Sequence, residues 1–302
     1  MSSSDNVARL ARRIQKLTGL QLWRARELAK QVRVFVKDPI PDAASPAQRR
    51  LEAMVVHTLA NTFGDRQCNG SVLGVVQATC SGDDLTLHLD PEMADEAVGE
   101  LLPRWDLEDR TLRGVPGARS RLLDGQFIAQ SVLFPARIIL ARADGVSLRR
   151  PNPLPQEVVL EVDNPALKVE AEKSANWSRP GPWDGLPEVR DLLLSRILRR
   201  PGLVNRAAAT HGVANCYTHG ESDLVIEWCC GDGLEAFFAA LLAHGVADGL
   251  PVAEAATFHR SSKTAMIGGR AVVLRRRGLC AYEDDFDVST EFTLLSRAEA
   301  VR

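Results

Sequence analysis

Lysine is scarce in this chain: six lysines stand beside 31 arginines among the 37 basic residues. Arginine suits phosphate and carboxylate recognition, although an Ala- and Arg-rich composition equally reflects a GC-rich coding sequence. Long apolar runs are missing too. None approaches the roughly 18 residues needed to cross a bilayer, so no membrane span is expected. The opening MSSSDNVARLARRIQ has no apolar core behind its charges, which argues against a secretory signal. Cysteine is thinly spread, six residues over more than 200 positions. That reads as reduced thiols and a cytoplasmic setting, not as a disulfide framework. A full phosphate-binding glycine motif and any local cysteine-hydrolase signature are also lacking.

What is present is an ordinary globular composition, 45% hydrophobic and 25% charged, in 302 residues, which leaves room for two domains. The net charge of −2 argues against a protein wrapped all over in nucleic acid. Charge is nevertheless uneven. Residues 1–44 carry nine basic and four acidic side chains, about +5, and residues 279–302 carry two basic and six acidic, about −4. A basic arm and an acidic tail can touch partners or each other.

VARLARRIQKLTGLQLWRARELAKQVRVFV reads as two short helices about a Thr18-Gly19 turn, with Leu10, Ile14 and Leu17 at helical spacing and Leu20, Trp23 and Leu28 approximately so. The pair has a bacterial look but ties the chain to no family. The proline-rich 37–46 reads as a linker, and Ser45-Pro46 restarts a helix with Leu51, Met54, Val55 and Leu59 on one face. LGVVQATCSGDDLTLHL predicts a hairpin, EMADEAVGELLPRW a helix capped by Asp90, and RSRLLDGQFIAQSVL and ARIILARADG two more strands.

The same order returns in LPEVRDLLLSRILRR, HGVANCYTHGESDLVIEW, GDGLEAFFAALLAHGV and KTAMIGGRAVVLRRRG. Letters match at slowly drifting offsets: Gly74-Val75 with Gly212-Val213, Gly82 with Gly220, Asp84-Leu85 with Asp223-Leu224, Leu101-Leu102 with Leu241-Leu242. ARIILARADG matches GRAVVLRRRG with Arg137 on Arg270, Arg142 on Arg275 and Gly145 on Gly278. The fold expected is therefore α+β, two duplicated αββαββ units packed as a pseudo-dimer behind a small helical N-terminal element. Its segments are 1–44 (helices and linker), 45–145 (first repeat), 146–186 (proline-rich connector with the strand QEVVLEVD) and 187–302 (second repeat and acidic tail).

Chemistry is thinly signalled. Cys216-x-x-His219 with Cys229 has the elements of a zinc site, but Cys229 and Cys230 are adjacent and the first repeat has Ala78 and Ser81 at the matching places. Buried thiols are the expectation, and no metal or cofactor is assigned. Cys216 beside His211, His219 or His259 would make a nucleophile pair only if the fold brought them together. Glu161, Asp163, Glu170, Glu172 and Lys173 have the residue types of a metal-dependent nuclease, with a solvated acidic hairpin the plainer reading, and Glu283, Asp284, Asp285 and Asp287 form a solvated acidic run. Asp232 in Gly231-Asp232-Gly233 reads as a helix N-cap. Trp177 and Trp183 read as plugs between domains.

Basic clusters are more numerous: Arg12-Arg13, Arg24 with Arg26, Arg49-Arg50, Arg149-Arg150, Arg199-Arg200 and Arg275-Arg276-Arg277. Phosphate contacts need several arginines on one continuous surface. The expected nucleic-acid surface is Arg12, Arg13, Arg24 and Arg26 with Arg275, Arg276 and Arg277, because the first repeat has Ala143 and Asp144 where the letters place Arg276 and Arg277. The function expected is a non-enzymatic protein that contacts nucleic acid or serves in a nucleoprotein assembly. A protein–protein adaptor, chaperone-like or inhibitor-like, is the alternative, and a metal-dependent hydrolase or cysteine enzyme a second one. No membrane partner is expected.

Overall fold

The computed structural model describes residues 3–31, 39–64, 66, 71–123, 126–149, 157–159, 167–177, 187–207, 214–219, 223–229, 231–254 and 262–276. It is an α+β structure with two mixed five-stranded sheets. No described helix is long and apolar enough to cross a membrane.

Helices α1 (Ser3–Thr18) and α2 (Leu22–Gln31) open the chain and pack on each other. Helix α3 (Pro46–Phe63) starts as its residues dictate: Ser45 accepts from the Gln48 amide at 3.1 Å, and Pro46 sits where a missing N–H costs nothing. The hairpin β1 (Val75–Ser81) and β2 (Asp84–Leu89) turns at Gly82, whose φ is 55°. Helix α4 (Ala94–Leu101) begins later than expected, because Asp90 caps a turn instead. Its carboxylate accepts from the Glu92 amide at 2.9 Å and from the Ser71 hydroxyl at 2.8 Å.

After the short pair β3 (Arg104–Asp106) and β4 (Thr111–Arg113), RSRLLDGQFIAQSVL folds as a hairpin, β5 (Ala118–Leu123) and β6 (Gln126–Ser131), not as one strand. Strand β7 (Arg137–Arg142) completes the first sheet in the order β1-β2-β7-β6-β5. Of the connector's expected strand, β8 (Glu157–Val159) is described, and it pairs with β3. The segment read as an acidic hairpin is helix α5 (Leu167–Trp177), and its Glu170 is no metal ligand. That carboxylate is fully buried, bound by Arg119 at 2.7 Å and by the Gly117 amide at 2.5 Å. Glu161 and Asp163 lie outside the described residues.

The second part runs α6 (Pro187–Leu198), α7 (Pro201–Ala207), β9 (Ala214–His219), β10 (Asp223–Trp228), α8 (Leu234–Ala243), β11 (Val252–Glu254), β12 (Ser262–Ile267) and β13 (Arg270–Arg276). Gly233, not Asp232, stands at the N-cap of α8, and no side chain bonds there. The sheet order is β11-β12-β13-β10-β9, which read backwards is the order of the first sheet. Each sheet has one parallel pair at the same place, β2 with β7 and β10 with β13. Each of these sheets thus carries one strand more than the αββαββ pattern expected, and the first unit holds β3 and β4 besides.

The registers correct the match of the strand ends. If Asp84-Leu85 answers to Asp223-Leu224, then His88 answers to Glu227 and Leu89 to Trp228. His88 pairs with Ala141 and Leu89 with Arg142, whereas Glu227 pairs with Arg275 and Trp228 with Arg276. Arg142 therefore stands with Arg276, and Ala141 with Arg275. Burial agrees, since Ile138 and Leu140 face the core and so do Val272 and Leu274. The match by letters slips one residue, and a slip of one turns every side chain to the other face.

The parts are joined by α3 against α6, with α3 also touching β9 and α7 touching β1. This seam is polar at its centre. Glu52 and Arg199, both fully buried, meet through two bonds of 2.8 and 2.6 Å, and Ser195 adds a third to the carboxylate at 2.6 Å. Arg200, equally buried, donates to the carbonyls of His244, Arg196 and Ile40. The Arg199-Arg200 cluster is structural. Residues 39–45, expected as a linker, lie docked on the seam: Ile40 and Ala43 are buried, and Asp42 binds Arg196 at 2.9 and 2.7 Å.

Candidate nucleic-acid interface

Helix α1 lays Leu10, Ile14 and Leu17 inward, as their spacing requires, and contacts α7 and β1. Its end is fixed by Thr18, whose hydroxyl donates to the Ile14 carbonyl at 2.8 Å. Gly19 then turns the chain with φ 74°, and a Cβ there would stand 2.3 Å from the Val76 carbonyl oxygen. That close approach brings α2 to the edge of the first sheet. Ala25 and Ala29 are the small residues it buries.

The face of α2 opposite those alanines is exposed. Trp23, whose spacing only approximately matches that of Leu20 and Leu28, keeps 59% of its surface open. The guanidinium carbon of Arg24 lies 5.2 Å from the Trp23 ring centroid, within cation–π range. Both border a groove of about 290 Å³ whose other walls include Gln77, His88, Gln126 and Arg142 of the first sheet. Burial lowers the His88 pKa and the neighbouring Arg24 charge lowers it further, so the imidazole is neutral. Arg142 is held by Asp144 at 3.1 and 3.0 Å and lies 3.8 Å from Asp95. The groove is thus mildly positive and lined with amide and imidazole groups able to meet base edges. An open aromatic stands at its rim.

The other expected residues are placed as follows. Arg12 and Arg26 are exposed, and Arg13 is half-buried and donates to the Ala243 carbonyl at 3.0 Å. Arg275 is half exposed, but its Nη1 lies 3.6 Å from the carboxylate of buried Glu227. Arg276 is half-buried on the core-facing parity of β13, and Arg277 lies outside the described residues. The strand end beside Arg24 is therefore that of the first sheet, not the second. Sequence reasoning passed over Trp23, His88 and Arg142. The one signal for them was the misfit of Trp23 to the inward stripe of α2.

The chain matches no known family, no curated protein and no solved structure.

Cys216 faces the core opposite Ile226, and burial pushes its thiol pKa up to about 12, so without a neighbouring base or metal it stays a neutral thiol. Cys229 is buried just past the end of β10, and the His219 side chain, His211 and His259 lie outside what is described. Among the described residues no three His, Cys, Asp or Glu side chains gather as a metal would need. The Glu283–Asp287 run, the acidic tail and Trp183 lie outside the described residues.

Proposed function

We propose that the protein binds single-stranded nucleic acid without catalysis, as one component of a nucleoprotein assembly in the cytoplasm. The observation that carries the reading is the exposed Trp23, with Arg24 across its ring, at the mouth of a polar groove on the first sheet. Single strands are held by stacking bases on open aromatic rings beside a basic groove. A duplex offers no free base face to Trp23. Arg12 and Arg26 are exposed on the same helical pair and extend the basic surface. The matching order, sense and register of the two sheets support an origin by internal duplication, with the halves packed in the manner of a dimer.

The test is fluorescence anisotropy with a short labelled single strand, RNA and DNA, at low salt. Trp23→Ala is expected to weaken binding roughly 5- to 150-fold, the worth of one stacked base. Affinity should fall with salt by a slope of about 0.7 per phosphate contacted. Equal binding by Trp23→Ala, or preference for a duplex, overturns the reading. One observation favours a protein partner instead: Leu22 and Val146, 37% and 54% exposed, flank Trp23 and the groove with apolar surface. Capture of a protein that persists in high salt, with no strand binding, would select that alternative.

A further inference from the structure

A second cavity, of about 430 Å³, opens between α3, the end of α4, the β4–β5 turn and α5. That volume is typical of a small-molecule site. Its apolar lining is Met54, Leu112, Pro116 and Trp177. The indole is held on several sides. Its Nε1 donates to Asp191 at 3.1 Å, the Arg190 guanidinium lies 4.1 Å from its ring centroid, and the His57 ring meets it edgewise at 5.2 Å.

The charges around the cavity are unevenly paired. Glu100 is engaged by Arg104 at 2.6 Å, and Arg113 by Asp106 and Asp109, each at 2.8 Å. Arg190 is answered by Asp191 at 2.9 Å. His57 is neutral, for burial lowers its pKa, with Arg190 and Lys173 adding to the effect, and its Nε2 stands 3.2 Å from the Asn61 amide nitrogen, which can only donate. That leaves Lys173. Its ammonium donates to the Leu112 carbonyl and meets no carboxylate among the described residues, and burial alone lowers its pKa. Lys173 is nonetheless exposed, so it is open to a ligand, and two of its three protons are unspent.

We propose that this cavity binds a small organic monocarboxylate, its apolar body against Trp177, Met54 and Leu112 and its carboxylate on the Lys173 ammonium. One cation beside apolar walls suits one negative charge. A phosphate dianion would be half neutralised, with no second cation free among the lining residues.

The probe is 2-naphthoate, compared with uncharged 2-naphthylmethanol by calorimetry on the full chain. Naphthoate is expected to bind, and the alcohol about 10-fold more weakly or not at all, the usual worth of a charged hydrogen bond. Lys173→Met, which keeps the alkyl stem, should remove that preference. Thr58→Phe should fill the cavity and exclude both compounds, whereas Arg24→Ala should change neither. The wild-type comparison needs no variant, so a variant that fails to fold leaves the test intact. Failure of folded wild-type protein to bind naphthoate, equal affinity for the alcohol, or unchanged preference in Lys173→Met overturns the assignment.

Discussion

The two sheets share strand order, pairing sense and register, and among the cross-strand pairs at which they differ one is instructive. In the first, His88 faces Ala141, and in the second Glu227 faces Arg275. The first pair is neutral and small, so the spot stays open and Arg24 of α2 lies beside it. The second pair brings an arginine to within 3.6 Å of a buried carboxylate. An arginine offered to a carboxylate in its own sheet is half spent before any phosphate arrives. Abundance of arginine at a strand end therefore says less about binding than the residue across from it.

The largest effect should come from breaking what both units share. Glu52→Ala leaves Arg199 buried and unpaired between α3 and α6, at a cost of about 3–5 kcal/mol. Urea unfolding measures it, and a midpoint shift equal to that of an exposed glutamate substitution would sink the idea of a polar seam. The comparison itself is broken by rebuilding the second sheet's pair in the first. His88→Glu with Ala141→Arg should place a carboxylate beside Arg24 and a side chain in the groove. Single-strand affinity is then expected to fall about 10-fold, the worth of a charged contact, while the far-UV spectrum stays unchanged. Unaltered affinity would move the strand away from this face.

Much of the fold was legible because it is locally determined. Ser45-Pro46 starts α3, Gly82 turns the first hairpin, and Leu10, Ile14 and Leu17 face inward. What failed was non-local. RIILAR and RAVVLR align with an arginine at each end, yet register is fixed by the neighbouring strands and displaces the match by one. Strand β11 is only three residues long and too short to show alternation. By letters, residues 160–173 read as a hairpin about Asn164-Pro165, while Glu170 is spaced for a helix, Leu167–Trp177, that delivers it to Arg119. Helical spacing gave α2 an approximate stripe but not the direction of its neighbour, so the open face of Trp23 was not legible. The groove needs α2, β1, β2 and β7 together, and no local signal links them.

A smaller effect sharpens the contrast from the other side. Arg275→Ala should lower stability by about 1 kcal/mol, since half of that side chain is in water while Glu227 is not. Strand affinity should stay within twofold of wild type. A large loss of binding with little loss of stability would return the second sheet to the interface and make its pairing with Glu227 incidental.

The smallest effect concerns the segment that serves both units. Ser45 donates its amide to Asp83 of the first unit at 2.9 Å, and Asp42 binds Arg196 of the second. Burial alone would raise the Asp42 carboxyl, but its bonds to Arg196, with Arg200 and Arg49 near, hold it below the usual carboxylate range. A carboxyl whose pKa is lower folded than unfolded contributes stability above its unfolded pKa, and that stability is lost as pH falls through the folded value. Asp42 is somewhat more than a third exposed, so solvent limits the contribution to about 1 kcal/mol or less. Asp83 is lowered too, hence acid weakens the wild type through more than one group. The gap between wild type and Asp42→Asn isolates Asp42: in urea midpoints it should be present at neutral pH and close in acid. A gap that stays constant would mean that Arg196 gains nothing from the Asp42 charge, and that packing alone docks the segment on the seam.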